Sequence, residues 1–192
     1  YRDASPRVGI WPMLREGLGL TDDQYRYVYL SDGGHFDNLG LLEMVLRRCH
    51  LIVVSDAGCD PACAFEDLGN AIRKVRIDLG VPITIREQVR IRARTPSGAP
   101  AAPEGAYFAV ADIEYCRVDP EAKDARDGKG PMNGTLLYIK PCFYGREPLD
   151  VVNYALAHTA FPHEPTSDQF FSESQFESYR QLGAYTITRV LR

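Results

Sequence analysis

The feature that most constrains the fold is a strand–helix–strand pattern near the start of the chain. Residues 25–31 are rich in aromatic and β-branched side chains, which predicts a strand that ends in the sharp Asp-Gly-Gly turn at 32–34. A helical pattern begins at Asn38, and the apolar run at 51–54 then predicts a buried strand. Two strands joined through a helix within about 30 residues are parallel neighbours in a sheet that helices cover. The sequence therefore predicts an α/β fold.

The rest of the chain continues with both kinds of element. Amphipathic or apolar periodicity predicts helices at Phe65–Leu79, Leu149–Ala160 and Glu173–Arg189, one or two strands within 82–94, and strands at Tyr107–Tyr115 and Thr135–Lys140. The last two strands flank the polar segment 119–133, so we expect an antiparallel hairpin with a long excursion. No repeat or domain boundary is visible, and we expect 1–192 to belong to a single domain.

Composition excludes several classes of function. The chain has 22 basic and 26 acidic residues and a formal net charge of -4, without the basic block that nucleic-acid binding requires. No apolar run reaches the roughly 18 residues of a transmembrane helix, and no signal peptide is present. We therefore expect no nucleic-acid partner and a location in the cytoplasm or at the cytoplasmic side of a membrane, with contact to a membrane surface left open.

The five cysteines are odd in number and irregularly spaced, which favours free thiols over a disulfide framework. Cys59 and Cys63 stand four apart, but no second Cys or His pair completes a zinc spacing. From spacing alone we expect neither a structural metal nor a cofactor.

One segment carries a family resemblance. Residues 30–41, Leu-Ser-Asp-Gly-Gly-His-Phe-Asp-Asn-Leu-Gly-Leu, resemble the motif of the patatin and cytosolic phospholipase A2 group, in which the catalytic aspartate lies in an Asp-Gly-Gly turn. Residues 48–56, 65–74 and 168–180 look similar to a bacterial branch of that family. The resemblance implies a three-layer α/β/α fold with a parallel-strand core and a β-rich extension.

The resemblance also implies a chemistry, which is the hydrolysis of acyl esters, with lipids as the expected substrates, by a Ser-Asp dyad. By match to the motif, Asp32 is the general base, and Gly33, Gly34, His35 and Asn38 contribute to the substrate side of the site. A Gly-x-Ser-x-Gly nucleophile and a glycine-rich oxyanion loop are absent from the chain. We therefore interpret the chain as the C-terminal portion of such an enzyme, inactive alone, whose partners are an acyl-ester substrate and the missing N-terminal portion.

Other interpretations of the same residues stay open. Asp32 can serve only as a turn residue of a non-catalytic module that binds lipid or protein. Asn38 can cap the helix that follows it, as can Asp37. A third class, a metal-dependent hydrolase, would use Asp32, His35 and Asp37 as ligands, although their spacing matches no established metal motif.

Two further sets of residues carry weaker expectations. Asp56 directly follows the strand at 51–54, where a turn or cap role is favoured over catalysis. The four aromatic residues near the C-terminus are expected to pack in the core, with an acyl-chain surface as the alternative; they are Phe161, Phe170, Phe171 and Phe176.

Overall fold

The computed structural model describes residues 9–22, 24, 32–95, 97–102, 104–119, 133–165 and 167–191. The strand expected at 25–31 lies outside these residues. The chain consists of two compact units, Tyr1–Asn38 and Leu39–Arg192.

The first unit contains a helix that the sequence analysis did not predict. Helix α1 spans Ile10–Gly17, and Pro12 stands in its first turn, where a missing N–H is tolerated. The helix ends before Gly19, whose φ of +66° favours glycine. Apart from the buried Pro12, its apolar side chains are exposed, Trp11 to 57% and Leu14 to 46%. Further along the unit, Gly33–His35 form one turn of 3-10 helix.

A four-stranded mixed sheet forms the centre of the second unit. Its strands are β1 (Leu51–Ser55), β2 (Ile83–Ile85), β3 (Phe108–Ile113) and β4 (Gly134–Ile139). They lie in the order β1-β4-β3-β2, with β1 and β4 parallel and the other pairs antiparallel. The predicted β3–β4 hairpin is thus confirmed, and β1 has β4 as its parallel neighbour.

The described residues of the second unit form four α-helices: α2 (Leu41–Leu46), α3 (Glu66–Leu79), α4 (Leu149–Ala157) and α5 (Glu173–Val190). All four were predicted, with ends that differ by a few residues. The start of α2 is the main correction. Its N-cap is Gly40 at a φ of +63°, and no side chain caps it, so the predicted cap at Asp37 or Asn38 is wrong.

Two clusters of apolar side chains make up the core. The sheet cluster joins α2 and α3 to one face of the sheet, and its members include Leu41, Val45, Ile52, Val54, Leu68, Val75, Leu136 and Tyr138. The helix cluster joins α4 and α5 and contains Phe143, Val151, Tyr154, Ala155, Phe161 and Leu182. Burial of a large apolar side chain contributes about 1.5–3 kcal/mol, so these clusters supply most of the driving force for folding.

The two faces of β1 differ sharply. Ile52 and Val54 are each 4% exposed, whereas Leu51 and Val53 are 64% and 56% exposed. The prediction of a buried strand is therefore correct for one face. The chain has a mixed α/β architecture. Among the described residues, α2 and α3 cover one face of β1 and leave its other face exposed.

The C-terminal aromatic residues do not behave as one group. Phe161 is fully buried in the helix cluster, as predicted. Phe170, Phe171 and Phe176 are 95%, 58% and 63% exposed, so the prediction that they pack in the core is wrong. Phe170 and Phe171 lie in the segment before α5, and Phe176 lies on the outer face of its first turns. The prediction failed because apolar periodicity does not show what a helix packs against.

Arg94 connects the loop after β2 to the end of α4. Its guanidinium donates hydrogen bonds to the carbonyl oxygens of Ala155 (3.0 Å), His158 (3.2 Å) and Phe161 (2.6 Å), and also to that of Gly98. Burial lowers the pKa of Arg94. These carbonyls include groups that the last turn of a helix leaves without partners, and a cation at that end also interacts favourably with the helix dipole.

Replacing Arg94 by Met should lower the free energy of unfolding by about 2–4 kcal/mol, because several charge-assisted hydrogen bonds disappear while their acceptors remain half-buried. Urea denaturation measures the change. The matched control is Arg180→Met, which removes an exposed i,i+3 pair with Glu177 and should change stability by less than about 0.5 kcal/mol. Equal effects of the two substitutions would contradict the assigned role.

Candidate functional site

The Asp32 turn is the first candidate site. The Asp32 carboxylate accepts a hydrogen bond at Oδ1 from the backbone N–H of Gly34, at 2.9 Å. Its backbone oxygen accepts from the N–H of His35 at 3.1 Å and also lies 3.1 Å from the Nδ1 of that ring. The side chain of Asp32 is exposed. The turn therefore fixes the direction of the carboxylate and leaves the group in contact with solvent.

Of the two glycines, only Gly34 is required by close packing. A Cβ at Gly34 would collide with Oδ1 of Asn38 and lie 3.3 Å from Oδ1 of Asp32. A Cβ at Gly33 would meet nothing within 4 Å. The structure thus brings Asp32, Gly34 and Asn38 together, while Gly33 and His35 lie exposed beside them.

The metal interpretation of this turn finds no support in its geometry. Among the described residues, Asp32, His35 and Asp37 do not form a group whose ligand atoms converge. One such group does lie in the described part of the second unit, and the sequence spacing did not predict it.

A buried ion pair lies at the carboxyl ends of the two parallel strands of the second unit. Asp56 follows β1 and Lys140 follows β4, and their side chains are 4% and 1% exposed. The ammonium group of Lys140 donates to Oδ2 of Asp56 at 2.9 Å, and the hydroxyl of Tyr138 donates to the same oxygen. Oδ1 accepts from the N–H of Gly58 at 2.9 Å, which confirms the predicted turn role of Asp56.

The loop after β1 continues this network. Asp60 accepts hydrogen bonds from the N–H groups of Ala64 and Phe65, at 2.8 and 3.0 Å, and its Oδ2 lies 3.6 Å from Lys140 Nζ. Burial alone would raise the pKa of Asp60, but the two backbone hydrogen bonds and Lys140 lower it. Burial and the hydrogen bond to Asp56 raise the pKa of Tyr138. A cavity of about 220 Å³ opens between this loop and Lys140.

Three potential metal ligands converge beside the same loop. Cys63, Cys142 and His163 each offer one ligand atom, and these atoms all lie within 4.8 Å of one another. Cys142 is 1% exposed, His163 is 6% exposed and Cys63 is partly buried. We call this group the Cys–His cluster. No sequence pattern indicates this cluster, because the three residues come from loops that are far apart along the chain.

The thiols of the Cys–His cluster differ in their electrostatics. Hydrogen bonding from Cys142, together with His163, holds the pKa of Cys63 well below its usual range despite partial burial. The hydrogen bond to Cys63, followed by burial, raises the pKa of Cys142. Cys63 is therefore the thiol of this pair that ionises first.

The buried pair of Asp56 and Lys140 generates a prediction about stability. Asp56→Asn should lower the free energy of unfolding by about 3 kcal/mol, because it leaves the buried ammonium group without its closest countercharge. The double variant Asp56→Asn/Lys140→Met should be more stable than Asp56→Asn by about 1 kcal/mol or more, since both charges are then removed. Urea denaturation of the four members of the cycle measures both effects. Losses in the double variant equal to the sum of the two single losses would contradict a direct ionic coupling.

None of the described helices is both long and apolar enough to cross a membrane. The chain matches no protein-family model, no curated protein and no solved structure.

Proposed function

We propose that this chain supplies the general base of a serine acyl hydrolase, with Asp32 as the base. The observation that carries the proposal is the exposed Asp32 carboxylate, oriented by the N–H of Gly34 at the start of a short helical turn. A general base must be held in a defined position and must lie within hydrogen-bond reach of the proton that it removes. An exposed carboxylate with one oxygen fixed by its own turn meets the first requirement.

The nucleophile belongs to a segment outside these 192 residues, because no Gly-x-Ser-x-Gly occurs among them. In the proposed reaction, the serine hydroxyl attacks the ester carbonyl while Asp32 accepts its proton. The alcohol leaves as the acyl-serine forms, and water then attacks the acyl group, with Asp32 again accepting a proton. No histidine takes part. The substrate class is acyl esters, and the resemblance of residues 30–41 favours lipids.

The packing around Gly34 supports the proposal, because two polar side chains lie close to the backbone of the turn at this residue. Asn38 Oδ1 and Asp32 Oδ1 occupy the space that a Cβ at Gly34 would need. A glycine at this point lets both polar side chains lie close to the backbone of the turn. Gly33 and His35 line the exposed side of the same turn, where a substrate would approach Asp32.

The competing function is a binding module in which Asp32 only stabilises its turn. The hydrogen bond to Gly34 N–H is the Asx-turn contact that such a role requires. The first unit contains a second turn of this kind, in which Asp22 Oδ1 accepts from the N–H of Gln24 at 3.0 Å. This second aspartate provides a matched control, because it is also exposed and makes the same contact.

Asp32→Asn should reduce kcat for a p-nitrophenyl ester by about 10²–10⁴-fold in the polypeptide that also carries the serine-bearing segment. The amide oxygen of Asn still accepts from Gly34 N–H, so the turn persists and only proton acceptance is lost. The 192-residue chain alone should show no turnover.

Asp22→Asn should leave kcat within about twofold, and circular dichroism should show that both variants fold. Full activity of Asp32→Asn would overturn the proposal, as would a complete polypeptide without any Gly-x-Ser-x-Gly segment. Turnover by the 192-residue chain itself, abolished by Asp32→Asn, would retain the base but contradict the external nucleophile.

A further inference from the structure

Three loops of the second unit meet at the Cys–His cluster. Cys63 lies in the loop between β1 and α3, Cys142 follows β4, and His163 lies beyond the end of α4. We propose that Cys63, Cys142 and His163 bind one Zn²⁺ ion. The proposal is independent of the hydrolase assignment, because it uses none of the residues of the Asp32 turn.

The spacing of the ligand atoms fits this ion. Zn²⁺ binds thiolate sulfur at about 2.3 Å and imidazole nitrogen at about 2.0–2.1 Å in tetrahedral geometry, which places ligand atoms about 3.5–3.8 Å apart. The three atoms of the cluster already lie within 4.8 Å of one another. Coordination therefore requires the ligand atoms to approach one another by about 1 Å.

The ligand types select the class of metal. Two thiolates and one imidazole favour Zn²⁺ over the hard cations Mg²⁺ and Ca²⁺, which take oxygen ligands. Binding releases the two thiol protons to solvent, so the complex of Zn²⁺ with two thiolates and a neutral imidazole carries no net charge. A neutral complex suits this position, because Cys142 and His163 are 1% and 6% exposed. Affinity should therefore rise with pH until both thiols are ionised.

The surroundings hold the histidine in place. The N–H of Asp60 lies 3.4 Å from Nδ1 of His163, and the thiol of Cys59 donates to the backbone oxygen of His163 at 3.2 Å. Coordination through either ring nitrogen gives up only the long contact with Asp60. The loop that carries Asp60 is itself fixed, because Asp60 accepts two backbone hydrogen bonds and lies near Lys140. Of the two contacts of His163, the one from the Cys59 thiol to its backbone oxygen is retained when the ring binds an ion.

One member of the cluster lines a cavity, and two residues that contact His163 line another. The cavity of about 220 Å³ includes Cys59 and Asp60 in its wall, and a second cavity of about 550 Å³ includes His163. The second cavity gives an ion a path to His163 from solvent. A metal site requires such an entry path as well as suitable ligands.

The test is metal binding by the purified protein kept under a thiol-free reductant. Elemental analysis after dialysis against Zn²⁺ should give one ion per chain, and Co²⁺ should produce thiolate-to-metal charge-transfer absorption. Competition with a chromophoric chelator measures affinity. Cys63→Ser, Cys142→Ala and His163→Gln should each weaken Zn²⁺ binding by about 100-fold or more. Loss of a residue that only orients a ligand already costs up to about 100-fold, and these variants remove the ligands themselves.

The matched control is Cys116→Ser, a partly buried cysteine outside the cluster, which should bind Zn²⁺ with unchanged affinity. Zinc should also raise the melting temperature of the wild type and of Cys116→Ser, but not that of Cys63→Ser. If a variant does not fold, the Co²⁺ spectrum of the wild type decides whether thiolates bind the metal. Absence of stoichiometric zinc and of charge-transfer absorption would overturn the proposal, as would unchanged affinity in the three cluster variants.

Discussion

The contact between Lys140 and Asp56 fixes the point at which two neighbouring strands end. Both side chains are almost fully buried, and each follows a strand of the parallel pair β1–β4. An ion pair in such a place is costly to desolvate and persists only when its remaining polar atoms are satisfied. Here Tyr138 and the N–H of Gly58 satisfy the carboxylate. The loops that leave the two strands therefore start from a defined geometry, on which the approach of Cys63 to Cys142 depends.

Local patterns predicted most elements of the second unit. Alternation and helical periodicity depend on which face of one segment is apolar, and they located α3, α5 and the β3–β4 hairpin. Local patterns do not specify which distant segments meet. For this reason the pairing of β1 with β4 was not foreseen, and neither was the exposure of Leu51 and Val53 on one face of β1.

The two candidate sites differ in the same way, because one is built from neighbouring residues and the other from residues far apart in the sequence. The Asp32 turn is local, and its Asp-Gly-Gly residues can be recognised in the sequence, although only Gly34 proves to be sterically required. The Cys–His cluster is non-local. In the sequence Cys63 stands four residues from Cys59, whereas in the structure it lies beside Cys142 and His163. Zinc motifs with short spacings reflect ligands on one hairpin or helix, and a site assembled from three loops leaves no such spacing.

The position of the Cys–His cluster suggests what a bound ion would do for the fold. Cys142 belongs to the sheet cluster, while its neighbour Phe143 belongs to the helix cluster. His163 closely follows Phe161, also of the helix cluster, and Cys63 packs against the sheet cluster. An ion bound by all three would therefore cross-link the two parts of the core through their loops. A cross-link between segments distant in sequence restricts the unfolded chain more than a local one does, so this ion would act mainly on stability.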